Sequence, residues 1–232
     1  MKIQVWSDIM CPFCYIAKKN FEKALENSPF KNEVEVEWKS FQLDPDLKDR
    51  SGKVSISEYF MTRKGFSAPQ LKQFQDQLKN MGKAAGVTFN QDTTIAAETF
   101  TAHKLLHFAK EHNKADAMEE ALFEAHFVNG KNIADVDFLV SLAQQMGLDK
   151  EKAREILNNE SYSYDVKQDI MEARNLGISG VPYYLLDNKY AVSGAQSVEH
   201  FAKVLAQTYQ ESIVTLSEDS GENMCGIDGC SI

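Results

Sequence analysis

The sequence predicts an α/β fold, in which a four-stranded sheet with helices packed on it is interrupted by a block of helices. Three observations point to this class. The first 40 residues have the patterns of strand, helix and strand, the middle of the chain is helical in composition, and strand patterns return after Pro182. A chain of 232 residues is long enough for one large domain with an insertion, and it folds without needing disulfide bonds.

The first 40 residues predict a β-α-β unit. Residues 2–7 alternate apolar and polar side chains, as a strand does. Pro12 suits the first position of a helix, and apolar residues then recur at helical spacing until the stop at residues 27–29. Residues 33–38 alternate glutamate with valine or tryptophan, which predicts a second strand. A right-handed crossover through the helix makes the two strands parallel.

Residues 44–176 predict an all-helical insertion. Asn129-Gly130 and the glycines at 86 and 147 separate its helices, which we expect at residues 70–85, 94–111, 115–128, 135–146, 149–157 and 162–176. Beyond Pro182, residues 183–186 and 190–193 predict a hairpin. Ser197 is the expected N-cap of a final helix, and residues 213–232 are predicted to be a flexible tail.

Composition excludes several classes of function. The net charge is −9, and an acidic surface repels nucleic acid and anionic membranes. No run of about 18 apolar residues predicts a membrane span, and no signal peptide is visible. We therefore expect a cytoplasmic protein, in a compartment where thiols are mostly reduced. Four cysteines are too few for a disulfide scaffold of this length.

The Cys11-Pro12-Phe13-Cys14 motif lies where the first strand ends and the first helix begins. At the N-cap, the Cys11 sulfur is expected to accept N–H bonds and to face the positive end of the helix dipole. Both effects favour the thiolate, which is the nucleophile. Cys14 lies one turn further on and should face the core. This context favours a redox pair over half of a zinc site. The charge of Asp8 would oppose thiolate formation if it lay close in space.

Val181-Pro182 precedes the predicted third strand. Proline cannot donate to a sheet ladder, so Pro182 must lie at the start or the edge of that strand. A cis bond here would turn the Val181 backbone outward, free to pair with an extended substrate. An ordinary trans proline is the alternative that these residues leave open.

Together these features resemble the DsbA family of thioredoxin-fold thiol–disulfide oxidoreductases, over about residues 1–210. Residues 38–45 and a second cysteine pair near the C-terminus are similar to the FrnE-type branch. The resemblance implies that Cys11 attacks, Cys14 resolves and Pro182 is a cis-proline. It also implies a thioredoxin-like domain formed by residues 1–43 and 177–212. No organic cofactor is expected, and no proton-shuttling carboxylate is assigned.

The expected substrate is a disulfide in a protein or a small molecule, with a partner dithiol or glutathione as the electron carrier. Strongly oxidising members of the family have histidine where this chain has Phe13. Phenylalanine offers the thiolate no donor and no charge, so a weaker oxidant acting as reductase or isomerase is expected. Cys225 and Cys230 form a possible accessory redox pair, since the tail is long enough to reach Cys11.

Two alternatives remain. The first is a glutathione-dependent enzyme of the kappa-class transferase or 2-hydroxychromene-2-carboxylate isomerase type. These enzymes share the architecture but have serine at the first active-site position, where this chain has Cys11. The second is a metal-binding protein that uses both cysteine pairs. His103 and His107 share a helix face at a spacing that can hold zinc, but a solvated or packed face explains them more simply, and no metal site is predicted.

Overall fold

The structure is a computed structural model and describes residues 1–48 and 50–219. The sheet-bearing part comprises β1 (Lys2–Ser7), α1 (Pro12–Glu26), β2 (Glu35–Ser40), β3 (Tyr183–Leu186), β4 (Tyr190–Ser193) and α9 (Val198–Asp219). Between β2 and β3 lie α2 (Ile56–Thr62), α3 (Ala68–Ala85), α4 (Phe100–Glu111), α5 (Ala115–Phe123), α6 (Val136–Gln145), α7 (Lys150–Asn158) and α8 (Ser163–Asn175). The predicted order of a β-α-β unit, a helical block and a hairpin followed by a helix is confirmed.

The sheet has the strand order β2-β1-β3-β4. β1 and β2 are parallel, with Val5 opposite Trp38, as the crossover through α1 requires. β3 runs antiparallel to both β1 and β4, and the predicted hairpin is confirmed. β1 is therefore a central strand, and its carboxyl end leads directly to the cysteine motif.

The two faces of β1 pack against different helices. Ile3 and Val5 lie in a core formed with α1 and α9, which includes Phe21 and Phe201. On the other face, Trp6 packs against Ala173 of α8, and its indole N–H donates to the Asp169 carbonyl at 3.1 Å. Alternate residues of β1 thus contribute to the two cores on opposite faces of the sheet.

The helical insertion has a core of its own, and the cysteines belong to it. Cys11, Cys14 and Tyr15 lie in one buried cluster with Leu105 of α4 and Phe123 of α5. Tyr15 stacks on Phe123 with ring centroids 5.1 Å apart. The start of α1 is therefore held between the sheet and the insertion.

A buried cation also joins α1 to α5. Lys18 is fully buried, and its ammonium lies 2.9 Å from Asp116 and 3.6 Å from Glu120. It also pairs with Glu22, one turn along α1. Since a buried charge must be compensated, these carboxylates fix the position of α1 relative to the insertion.

Three elements differ from the prediction. α2 was not predicted, although Ser55 caps it by accepting the Glu58 N–H. α4 begins at Phe100 instead of residue 94, because residues 94–96 pair with the chain before α2: Ile56 N donates to Thr94 O at 3.0 Å. α5 passes into a π-helical turn, Glu124–Val128.

The last helix runs to Asp219 and so extends into the segment predicted as a tail. Cys225 and Cys230 lie outside the described residues. The division of the chain into a split domain and an insertion at residues 43 and 177 stays a prediction. Within residues 1–48 and 50–219, no helix is both long and apolar enough to cross a membrane.

Candidate active site

The dithiol lies at the junction of β1 and α1. Cys11 N donates to the Asp8 carbonyl at 2.8 Å, and Cys14 N donates to the Cys11 carbonyl at 3.0 Å. Cys11 is the N-cap of α1, with extended backbone, and Pro12 begins the helix. Both cysteines are free thiols and both are buried, with 3% and 1% of their surfaces exposed. The predictions that Cys11 occupies the N-cap position and that Cys14 faces the core are confirmed.

The expected capping bond to the Cys11 sulfur was wrong. The Cys11 side chain accepts no N–H bond from α1. Its sulfur instead lies 3.6 Å from the Val181 carbonyl oxygen, to which the thiol donates. The acceptor belongs to the chain just before β3, so the Cys11 thiol bonds across the site and not to its own helix.

The Val181-Pro182 peptide bond is cis, as the family resemblance implied. The Pro182 carbonyl accepts the Gly194 N–H at 2.9 Å, just after β4. The hairpin thereby holds Val181 against the dithiol. Pro182 lies just before β3, where its lack of an N–H removes no hydrogen bond from the sheet.

Burial raises the pKa of the Cys14 thiol well above its usual range, and a hydrogen bond with Cys11 adds to the rise. The Ser7 hydroxyl also lies within hydrogen-bond reach of Cys14, and this contact lowers the pKa of the thiol. Ser7 Oγ in turn donates to Glu119 Oε1 at 2.6 Å. Glu119 is 1% exposed, and burial raises its pKa. A chain of polar groups therefore leads from Cys14 through Ser7 to a buried carboxyl group.

The carboxylate of Asp8 interacts with groups other than the two cysteines. It accepts the N–H of Leu43 at 2.7 Å and lies 3.6 Å from His103 Nε2. Burial opposes protonation of His103, but the hydrogen bond and charge of Asp8 outweigh it and raise the pKa of that imidazole. His103 thus compensates Asp8 at the base of the site.

His107 serves a different cluster from His103. Its Nε2 lies 3.0 Å from Asp169 and 3.2 Å from Ser40 Oγ. Because one ring nitrogen faces both groups, the three cannot act as a serine–histidine–aspartate relay. Among the described residues, no group of three or more His, Cys, Asp or Glu side chains is placed to hold a metal ion.

A cavity of about 180 Å³ opens beside the dithiol. Residues 10–13, Leu43, Lys64 and the side chains of Ile56, Tyr59, Phe60 and Phe74 line it. Phe13, between the two cysteines, packs edge-on against Phe74 of α3 at 5.9 Å. Ile56, Tyr59 and Phe60 of the wall come from α2, the helix that sequence patterns missed.

Two functional candidates, Ser7 and Glu119, were also missed by the sequence analysis. Ser7 is the last residue of β1, and Glu119 lies 112 positions later. Nothing local distinguishes Glu119 from Glu120, its neighbour on α5. Only the docking of α5 on the sheet selects which of the two faces Ser7.

Comparison with known proteins gives consistent matches. The model of the DSBA-like thioredoxin domain family matches residues 2–206. The uncharacterized protein YwbO of Bacillus subtilis (strain 168) is 30% identical over 207 residues, which cover 88% of this chain and 95% of that protein.

Two solved structures are similar to the whole chain or most of it. A probable DsbA oxidoreductase from Streptomyces coelicolor has a TM-score of 0.84 at 34% identity, with 100% of this chain and 99% of that chain covered. The cytosolic disulfide reductase DsbM from Pseudomonas aeruginosa shares the fold, with a TM-score of 0.65 at 16% identity and coverage of 90% and 99%.

The family match over residues 2–206 and the superposition on the probable DsbA oxidoreductase span both the sheet and the helical insertion. The predicted fold class, a thioredoxin-like α/β fold with a DsbA-like helical insertion, is therefore confirmed. The chain belongs to the DSBA-like thioredoxin domain family.

Proposed function

We propose that this protein reduces or isomerises disulfides of proteins or small molecules in the cytoplasm, with Cys11 as the nucleophile and Cys14 as the resolving thiol. The observation that carries the proposal is the pair of free thiols at the N-terminus of α1, with the Val181 carbonyl 3.6 Å from the Cys11 sulfur. A thiolate is favoured at a helix N-terminus, and a resolving thiol one turn further on shares its helix face.

The first step forms a mixed disulfide. The Cys11 thiolate attacks one sulfur of the substrate disulfide, the S–S bond breaks, and the departing thiolate takes up a proton. An extended substrate pairs with the Val181 backbone, which Pro182 and the hairpin hold beside the sulfur. Cys11 keeps the other half of the substrate.

The second step needs a thiolate at Cys14. Once Cys11 is held in the mixed disulfide, the Cys14 proton passes to the Ser7 oxygen while the Ser7 proton passes to Glu119, to which Ser7 already donates. Cys14 then attacks the Cys11 sulfur and releases the second substrate thiol, which takes up a proton. Two electrons have moved from the dithiol to the substrate, and the protein holds a Cys11–Cys14 disulfide.

A partner dithiol or glutathione returns the protein to its dithiol form. DsbM, which has this fold, has been solved with glutathione, and this supports glutathione as one candidate donor. Phe13 places no positive charge beside the thiolate, which supports a reducing role in a reducing compartment. Residues 38–45 and Cys225 with Cys230 support a place in the FrnE-type branch, where the second pair would act as an accessory redox pair.

The experiment is insulin reduction combined with trapping of mixed disulfides. Cys11→Ser should abolish turnover, since no other described thiol is positioned to attack. Cys14→Ser should accumulate mixed disulfides at Cys11, because resolution is lost. Turnover that persists in Cys11→Ser would refute the mechanism.

The glutathione-dependent transferases and isomerases remain the second candidate, because a 2-hydroxychromene-2-carboxylate isomerase has the same fold, with a TM-score of 0.69. Cys11 argues against them, since serine is expected at that position. Saturable glutathione binding with conjugating activity that survives Cys14→Ser would favour this candidate. If protein purified under reducing conditions held a stoichiometric amount of zinc, the result would instead favour the hypothesis that the cysteine pairs bind metal.

A further inference from the structure

The cavity beside Cys11 is not used by the dithiol chemistry described above. We propose that it binds an aromatic side chain adjacent to the cysteine of a peptide disulfide, and that Lys64 attracts an acidic group on the same peptide. This inference rests on the proposed function, and it names the class of substrate that the site selects.

The size and lining of the cavity fit one aromatic ring. Its volume is about 180 Å³, and an engineered protein cavity of about 150 Å³ lined by apolar side chains binds benzene. Cys11 itself lines the cavity. A ring held there therefore belongs to a residue next to the reacting sulfur.

The wall is a preformed cluster of aromatic side chains. Phe60 packs against Phe74 with ring centroids 4.9 Å apart, and Tyr59 meets Phe60 edge-on at 5.6 Å. A second void of about 30 Å³ shares Phe60, Phe74 and Ile56 with the first. The wall therefore has room to adjust around a ligand, and a new ring can join it with edge-to-face geometry.

Charge at the rim indicates the second part of the ligand. Among the described residues that line the cavity, Lys64 is the one basic or acidic side chain. Asp44 nearby accepts hydrogen bonds from Arg63 Nη2 at 2.7 Å and from Arg63 Nε at 2.9 Å, while Lys64 Nζ lies 3.9 Å from it. Arg63 is therefore the closer partner of Asp44, and the positive charge of Lys64 is left to face the cavity. This charge favours a ligand with an acidic group.

The Val181 carbonyl and the cavity have separate roles in this arrangement. The Val181 backbone, 3.6 Å from the Cys11 sulfur, aligns the substrate chain whatever its sequence. The cavity accepts one side chain and so discriminates among sequences. Glutathione disulfide has no apolar side chain for the cavity, so it should gain nothing from it.

The test uses the prereduced full-length chain and four symmetrical peptide disulfides that place phenylalanine or serine before the cysteine and glutamate or glutamine after it. Single-turnover reactions are quenched with acid, and the released peptide thiol is measured by chromatography. The phenylalanine peptides should react about tenfold faster or more, since burial of a ring next to the sulfur stabilises the complex. Hydroxyethyl disulfide, which has no side chain for the cavity, measures the dithiol chemistry alone.

Variants locate the preference. Ile56→Trp fills the cavity and should remove most of the preference for phenylalanine. Met61→Trp is the matched control, because Met61 lies on the same helix but is exposed and does not line the cavity. Lys64→Gln should equalise the glutamate and glutamine peptides. Leu43→Asn, at an exposed lining position, should weaken the phenylalanine preference even if Ile56→Trp fails to fold.

The outcomes separate this inference from the proposed function. Equal rates for phenylalanine and serine peptides, with hydroxyethyl disulfide still reduced, would overturn the aromatic subsite and leave the oxidoreductase intact. A preference that survives both Ile56→Trp and Leu43→Asn would place the selectivity elsewhere and would also overturn it. If the protein reduced none of the disulfides, hydroxyethyl disulfide included, the proposed function would be overturned.

Discussion

Replacing Glu119 with glutamine tests how the buried Cys14 thiol loses its proton. Glutamine keeps the shape of the side chain and an oxygen that accepts the Ser7 hydroxyl, which now lies 2.6 Å from Glu119 Oε1. It cannot take up the proton that leaves Cys14. The substitution should therefore slow the resolving step and leave the first attack by Cys11 unchanged.

The size of the effect follows from the burial of Cys14. A thiol with the usual pKa of 9.0 is only about 1% ionised at pH 7, and burial raises the pKa of Cys14 above that value. In the mixed disulfide the Cys11 thiolate is gone, but burial, the largest cause, remains. Without an internal base, resolution should fall about 100-fold at pH 7, at the lower end of what general base catalysis contributes.

The pH profile distinguishes a proton acceptor from a purely structural residue. In Glu119→Gln, ionisation of Cys14 depends on hydroxide, so the rate should rise about tenfold per pH unit through neutral pH. In the native chain the proton leaving Cys14 passes to Glu119 and not to hydroxide, so the rate should depend less steeply on pH. The difference between the two proteins should therefore shrink as the pH rises.

The assay is the biphasic release of thionitrobenzoate from an aromatic disulfide reagent, in a background where Cys225 and Cys230 are serine. The first phase reports attack by Cys11 and the second reports resolution by Cys14. Glu120→Gln is the matched control, since Glu120 is the next residue on α5. It accepts a hydrogen bond from the Tyr15 hydroxyl and not from Ser7. If Glu119→Gln and Glu120→Gln gave the same second phase and the same pH profile, Glu119 would have no part in proton transfer.

Three further substitutions have defined outcomes. Phe13→His should make the Cys11–Cys14 couple more oxidising in a glutathione redox titration, by about 30 mV for each tenfold stabilisation of the reduced form; an unchanged potential would show that residue 13 does not tune it. Burial lowers the pKa of His126 to about 4. Between about pH 6.5 and pH 4 the unfolded chain therefore binds a proton that the folded chain does not bind, and the free energy of unfolding falls as the pH drops. His126→Leu should remove about 3 kcal/mol of that loss in urea unfolding at pH 7 and pH 4, and an unaltered pH dependence would contradict it. Lys18→Met should cost about 2 kcal/mol in urea unfolding, less than the 3–5 kcal/mol typical of a fully buried pair, because its partner Asp116 is 65% exposed and can be hydrated; no loss of stability would show that the cation does not join α1 to α5.

Sequence patterns located the dithiol because its position depends on neighbours in the chain. The change from period two to helical spacing, with Pro12 as the first helical residue, identifies the end of β1 and the start of α1. The same spacing predicts that Cys14 is buried, which the structure confirms. The hairpin after Pro182 follows from its own turn residues in the same way.

Two local features escaped the patterns for different reasons. α2 has a visible cap in Ser55 and Glu58, but its seven residues are too few for a clear helical period. Residues 94–99 have helical composition, yet Ala96 N donates to Val54 O at 2.9 Å, and this pairing with a distant segment delays the start of α4. Tertiary contacts override propensity at this position.

Local sequence is enough to place the two reactive sulfurs and to put Cys11 at the N-cap, because an N-cap and a one-turn spacing are properties of a few consecutive residues. The surroundings of the sulfurs depend on the packing of distant segments. Packing brings the Cys11 thiol to Val181, 170 positions away, selects Glu119 over Glu120 as the partner of Ser7, and places three side chains of α2 in the wall of the cavity. Burial, proton affinity and substrate shape depend on elements that meet only after the insertion has packed on the sheet, so no local pattern specifies them.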